Sequence, residues 1–174
     1  MLAAAERSRQ HPDLHYLFVG DGAMRPQLEE QARVRQLGNV QILPLLPAEE
    51  FQQMLAATGI ALITQQRIVS NIVFPSKTVT LLCAGCPVIA SVNSESEVAR
   101  AVLNSRAGVV VEPENADALF AAIDRLSSSP ETLARMSQQA RRYASETWDE
   151  RRTLPRMEEQ LTQCVERWRK GMQR

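Results

Sequence analysis

The chain is poor in the residues that most often announce chemistry or compartment: only three of its 174 residues are cysteines and only two are histidines. Cys83, Cys86 and Cys164 form an odd set without a pairing framework, which suits a reducing, cytoplasmic location. Cys83 and Cys86 are spaced as C-x-x-C. A redox or zinc role for such a pair needs an accessible helix N-terminus or a second pair of ligands, whereas here Cys83 sits at the end of an apolar helix and Cys86 in the following turn. Net charge is missing too, because 20 basic and 20 acidic residues cancel. That balance argues against a nucleic-acid partner, whose phosphates call for a basic excess or stripe. No stretch approaches the ~20 apolar residues that span a bilayer, and Met1 to Ala5 is too short and too soon acidic for a signal peptide. Internal repeats and low-complexity segments are absent. A length of 174 residues fits one domain with a real core and is short for two.

What is present is organised around Phe74 to Ala90, which reads as loop, helix, tight turn and buried strand. Pro75 fixes its own φ and suits a helix start, so the helix opens near Ser76. Val79, Leu82 and Cys83 recur at helical spacing and predict a stripe facing a sheet. Gly85 stands where a C-terminal glycine cap belongs, Pro87 prevents continuation, and Val88 to Ala90 is a short β-rich run. The free N–H groups of Ser76, Lys77 and Thr78 point out of the helix start with the positive end of its dipole, and the Lys77 ammonium adds a full charge: an anion site. A capped helix with a solvated lysine is the plainer alternative.

Leu2 to Arg9 predicts a helix tail ended by the His11 to Asp13 turn. His15 to Val19 is an apolar strand running into Gly20-Asp21-Gly22, and a helix follows from Arg25 to Leu37; the glycine turn either approaches a ligand or is only tight. Val40 to Leu43 is the second strand, leading to Pro44-Leu45-Leu46-Pro47, whose leucines belong to the core or form an apolar shelf for a flat base. A helix over Glu49 to Ala57 precedes strand three, Ile60 to Ile63, so apolar that both faces must be covered. The connection from Thr64 to Phe74, with Arg67 and Asn71, is the longest in the fold and lies at the ligand-binding end of the sheet. Strand four (Val88 to Ser91), a helix from Glu97 to Leu103 and strand five (Gly108 to Val111) follow. Asn115 caps a helix over Ala116 to Leu126, another runs from Pro130 to about Ala144, and Asp149 caps a last one to about Lys170. Such alternation predicts an α/β, doubly wound parallel sheet with extra C-terminal helices.

Over nearly its whole length the chain resembles the C-terminal, nucleotide-sugar-binding Rossmann-like domain of retaining GT-B glycosyltransferases of family four, particularly those of bacterial exopolysaccharide assembly. The matching text runs from Leu17 to Gly22, through Pro75-Ser76-Lys77 and Ala84 to Ala90, to Ser96 to Ala99 and Ala107 to Pro113. Ser129 to Glu131, Met136 and Tyr143 to Trp148 look like the family's closing helices. The resemblance implies transfer of a sugar from a nucleoside diphosphate donor to a polysaccharide or lipid-linked acceptor, with no cofactor. It places the donor phosphates at Ser76 and Lys77, with Thr78 beside them, the base at Leu45 and Leu46, and Gly20, Gly22, Arg67 and Asn71 on nearby loops; the catalytic residue stays unassigned. The family's glutamate pair, one member of which grips the donor ribose, falls at Ile72 and Thr80. Neither is acidic, so only the Thr80 hydroxyl is left for the ribose, roughly half as strong a partner as a carboxylate. No Asp-x-Asp motif is present to hold a metal, so a metal-independent transfer is expected.

By the same resemblance, the family's first strand of this domain and its whole N-terminal, acceptor-binding domain precede the point where this chain starts. The missing strand would be central in a 3-2-1-4-5-6 sheet. The expectation is that the gap between His15 to Val19 and Ile60 to Ile63 is filled by another segment or chain, or that the sheet re-pairs; an open slot in a monomer would contradict it. The expected partners are a nucleotide sugar and an N-terminal domain or partner chain, with self-association through the incomplete sheet. Trp168 with its basic neighbours either makes a peripheral contact with the inner face of a membrane or belongs to a fraying helix end. A sugar-nucleotide epimerase half is a rival, disfavoured because His11 and His15 lie before or within the first strand. A non-catalytic binding or assembly module is another.

Overall fold

The computed structural model describes residues 1–69 and 72–171. Its strands are β1 (Tyr16–Val19), β2 (Val40–Leu43), β3 (Ala61–Thr64), β4 (Val88–Ser91) and β5 (Gly108–Val111). The helices are α1 (Leu2–Arg7), α2 (Arg25–Val34), α3 (Ala48–Ala57), α4 (Ser76–Ala84), α5 (Glu97–Ser105), α6 (Ala116–Ser127), α7 (Pro130–Thr147) and α8 (Glu150–Gly171), with a 3-10 turn, Ser8–Gln10, after α1. Every pairing is parallel. β1 runs beside β2, with Tyr16 opposite Val40, and β4 runs between β3 and β5, with Val88 opposite Ala61 and Gly108.

Alternation along the strands divides the interior into two cores, because successive side chains point to opposite faces. Ala61, Ile63, Val88 and Ala90 pack with Leu55 of α3, Leu82 of α4, Val98 and Val102 of α5 and Ala140 of α7. Tyr16 and Ile89, joined by the half-buried Phe18, Leu62 and Val109, pack on the other face with Ala4 and Ala5 of α1 and Leu119, Ile123 and Leu126 of α6. Helices on both faces of a parallel sheet make this the Rossmann-like doubly wound fold that the strand–helix alternation predicts, and α7 and α8 are its extra C-terminal helices.

Local rules account for most boundaries. Ser96 Oγ accepts from the Ala99 amide at 3.2 Å and Asn115 Oδ1 from the Ala118 amide at 2.9 Å, capping α5 and α6. Gly85 ends α4 in the left-handed region at φ 79°, a conformation that costs glycine least. One prediction for α4 is corrected: Cys83 is exposed, and the buried stripe is Thr78 and Leu82. Choosing the apolar Val79 and Cys83 over the polar Thr78 rotated the expected face by about one residue, ~100° around a helix.

Of the outcomes expected for the central gap, re-pairing of β1 with β3 does not occur among the described residues. Among the described residues no hydrogen bond joins β1 to β3, and the strands fall into a two-stranded and a three-stranded sheet. Leu17 of β1 is 44% exposed, whereas all four residues of β4, bonded on both edges, are buried.

Candidate functional site

In a doubly wound sheet ligands collect beyond the carboxyl ends of the strands, where the winding direction reverses. Here β1 leads outward to β2, and β3 leads the opposite way to β4 and β5, so the reversal lies between β1 and β3. The loops that open there are 20–24 after β1 and 65–75 after β3, with 44–47 after β2 alongside. Both histidines are remote: His15 precedes β1 at the amino end of the sheet, and His11 faces Asp124 of α6 at 3.6 Å.

Helix α4 starts at the end of the 65–75 loop. Pro75 is its N-cap, with φ −68° and ψ 133°, and no side chain caps it. The Ser76 and Lys77 amides make no hydrogen bond among the described residues, and both residues are exposed. Thr78 differs from expectation, because its amide donates to the Pro75 carbonyl at 3.0 Å and is therefore spent. Its side chain is fully buried, and the Thr78 hydroxyl has no hydrogen-bond partner. Two free amides, the positive helix end and the Lys77 ammonium, which makes no ion pair among the described residues, remain to attract an anion.

The flanking residues are sorted by their surroundings. Thr80 Oγ1 donates weakly to the Ser76 carbonyl at 3.4 Å, leaving its lone pairs outward on an exposed residue. Leu45 is 70% exposed and Leu46 half-buried, so the pair presents an apolar surface without belonging to the core. Gly20, at φ 138°, and Gly22 have nothing within 4 Å of where a Cβ would stand, so the turn borders open space. Asn71 lies outside the described residues. Ile72, where a resemblance to the family would place an acidic side chain, is 80% exposed.

Arg67 lies on the loop after β3, where the sequence put it, and is engaged by acidic residues. Its guanidinium pairs with Glu112 at 2.8 Å and its amide donates to Glu114 at 3.4 Å, while its carbonyl accepts from Asn93 at 3.0 Å. Arg67 thus reaches across the end of β4 to the end of β5, away from the reversal point, and roofs a cleft of about 430 Å³ bounded by Asn93, Glu95 and Pro113. The Arg67 hydrogen bond, then the one from Asn115, holds the Glu112 carboxyl below the usual glutamate value of 4.5. Gln65 fastens the other end of the loop: its amide donates to the Ser91 carbonyl at 3.1 Å and its side-chain nitrogen to Val73 at 2.9 Å. Asn93, Glu112 and Glu114 were not singled out from the sequence. Their one sequence signal is position, since polar residues just past strand ends lie where loops meet.

The cysteines are shaped by burial. Cys86 donates to the Leu55 carbonyl at 3.4 Å, and desolvation pushes both the Cys83 and Cys86 thiols above their ordinary value. Reactive or metal-binding thiols shift the other way. Among the described residues no cluster of histidine, cysteine, aspartate or glutamate has metal-binding form, and no helix is long and apolar enough to cross a membrane.

With this geometry in view, known proteins give a consistent comparison. The family model described as glycosyl transferases group 1 matches residues 1–143. WcaI of Escherichia coli K12, ascribed to colanic acid biosynthesis as a glycosyl transferase, is 30% identical over 156 residues, which cover 88% of this chain and 37% of WcaI. Among solved structures, sucrose-phosphate synthase (tll1590) from Thermosynechococcus elongatus superposes with a TM-score of 0.77 at 22% identity, covering 94% of this chain and 41% of that one. Anabaena Alr3699/HepE, solved in complex with UDP, does so with a TM-score of 0.77 at 19% identity, covering 93% and 44%. The chain therefore spans less than half the length of each of these proteins. The two structures share the fold, and the family model, matching most of the sequence, shows that this chain belongs to the glycosyl transferases group 1 family.

Proposed function

We propose that this chain is the donor-binding domain of a glycosyltransferase that moves a sugar from a nucleoside diphosphate sugar to a polysaccharide or lipid-linked acceptor. One observation carries the reading: two amides, of Ser76 and Lys77, that make no hydrogen bond among the described residues open a helix beside the reversal point of a parallel sheet, next to an ammonium with no ion pair among those residues. The donor diphosphate sits on these amides, Thr80 meets the ribose, and the exposed Leu45 with Leu46 supports the base. Similarity to HepE, which was crystallised with UDP, supports the choice of ligand.

In this reading the chain's own groups act on charge. As the bond from the sugar to the diphosphate breaks, negative charge grows on the leaving phosphate oxygen. The amides of Ser76 and Lys77, the α4 dipole and the Lys77 ammonium stabilise it more strongly then than before reaction, which is what accelerates a step. The acceptor, and any group that contacts the sugar from the other side, belong to an N-terminal domain or partner chain, and the isolated chain is expected to bind donor without transferring it. A cytoplasmic location goes with such a donor.

Calorimetric titration of the chain with UDP, GDP and ADP tests the reading and its base. Saturable binding of one or more of them supports it. Absence of binding for all three, in protein shown to be folded, favours the rival reading of a non-catalytic assembly module, for which the open edges of β1 and β3 speak.

A further inference from the structure

We infer that the donor sugar of this chain carries a methyl group, as an N-acetylated or a 6-deoxy hexose does, and that Ile72 with Val73 and Phe74 selects it. The inference rests on the donor reading above and deepens it. Ile72 is 80% exposed, and Val73 and Phe74 are exposed beside it. Adjoining exposed apolar residues, unlike single ones, mark places where something binds. The backbone holds them outward. The Gln65 side chain donates to the Val73 carbonyl at 2.9 Å, and the Ile72 and Val73 amides donate to the Val69 carbonyl at 3.1 and 3.2 Å. The stretch ends at Pro75, the N-cap of α4.

Position decides what covers these side chains. Ile72 is four residues ahead of Ser76, so its Cα lies within about 14 Å of that of Ser76, the first residue of the anion seat. A nucleoside diphosphate sugar has its diphosphate in the middle. With that middle on Ser76 and Lys77, and the base on Leu45 and Leu46 after β2, the sugar is the end left for the loop after β3, across the reversal point. The chemistry of that loop is one-sided. From Ile68 to Ser76 the sequence has no charged residue, and Arg67 just before it is paired with Glu112. Sugar hydroxyls turned onto Ile72, Val73 and Phe74 would lose water without gaining a partner. A methyl group there has no hydrogen bond to lose, and burying one is equivalent to roughly a fourfold gain in affinity.

The test titrates the 174-residue chain with UDP, UDP-glucose, UDP-N-acetylglucosamine and UDP-6-deoxyglucose, or with the same set on GDP or ADP if that is the nucleotide that binds. At least one methyl-bearing sugar should bind about 4- to 10-fold more tightly than its glucose counterpart. Saturation-transfer NMR should then find the acetyl or the C6 methyl protons receiving more saturation than any ring proton, which tells the two sources apart. Ile72→Ser should bring the preference to within about twofold, read as the ratio of the two dissociation constants with a thermal melt as the folding control. If that variant melts early, Ile72→Ala gives the same ratio. Equal affinity for glucose and both methyl-bearing sugars, with the bare nucleotide binding, overturns this inference and leaves the donor reading standing. A preference that neither substitution at Ile72 reduces does the same. Absence of binding by every nucleotide overturns both.

Discussion

Replacing Ser76 by proline is the most selective perturbation of the anion seat. Position 76 is the first of α4, where proline's fixed φ is helical and its missing N–H has no partner inside the helix. The residue before a proline must stay out of the α region, and Pro75 already does, at φ −68° and ψ 133°. Ser76→Pro should therefore fold normally and change stability by no more than about 0.5 kcal/mol. It deletes one of the two free amides. A hydrogen bond to a charged group contributes about 1.5–3 kcal/mol, and each 1.4 kcal/mol is a factor of ten, so the dissociation constant for UDP should rise roughly 10- to 100-fold. Uridine, which lacks the phosphates, should bind as weakly to the variant as to the parent. The assay is parallel calorimetry of both ligands, with thermal melts as the folding control. Unchanged UDP affinity in a variant with an unchanged melt would refute the claim that this amide meets phosphate.

Further outcomes are expected from other parts of the chain. Lys77→Ala should weaken UDP binding roughly 2- to 5-fold at low salt and less at 0.5 M, because an exposed charge is screened; calorimetry at two ionic strengths reads this. Leu82→Ala removes a fully buried side chain between α4 and the sheet and should cost about 2–5 kcal/mol in urea denaturation. Gly108→Ala would drive a Cβ into the backbone carbonyl of Val88 on the neighbouring strand and should cost about 1–3 kcal/mol by the same measurement. Since the Glu112 carboxyl is held below 4.5 by Arg67, its contribution to stability is present above pH 4.5 and is lost as pH falls through the lower, folded value. In Arg67→Ala an NMR titration should find the Glu112 value moved up towards 4.5.

The sequence revealed structure wherever a local rule governs. Asn115 starts α6 and Gly85 ends α4 because a side-chain oxygen or a left-handed glycine solves a terminus problem within a few residues. The five apolar runs became strands because nothing else could bury them. What could not be read was decided by long-range contact. Thr78 is buried and Cys83 exposed because α4 packs against α7 and the sheet in a rotation that polarity alone does not fix. Arg67 turned to Glu112, 45 residues further on, which no spacing rule anticipates. The spent amide of Thr78 reflects a tight first turn of α4, a detail of about one hydrogen bond. The place of the gap between β1 and β3, and with it the reversal point, came from the resemblance to the family and not from the residues themselves.

The central claim is that a diphosphate rests on the start of α4, and amide NMR on addition of UDP tests it most directly. The account requires the Ser76 and Lys77 amide resonances to move furthest and saturably, in the direction of stronger hydrogen bonding, with those of Leu45 and Leu46 following. Shifts confined to the cleft near Asn93 and Glu112, or binding that leaves Ser76 and Lys77 unmoved, would contradict it.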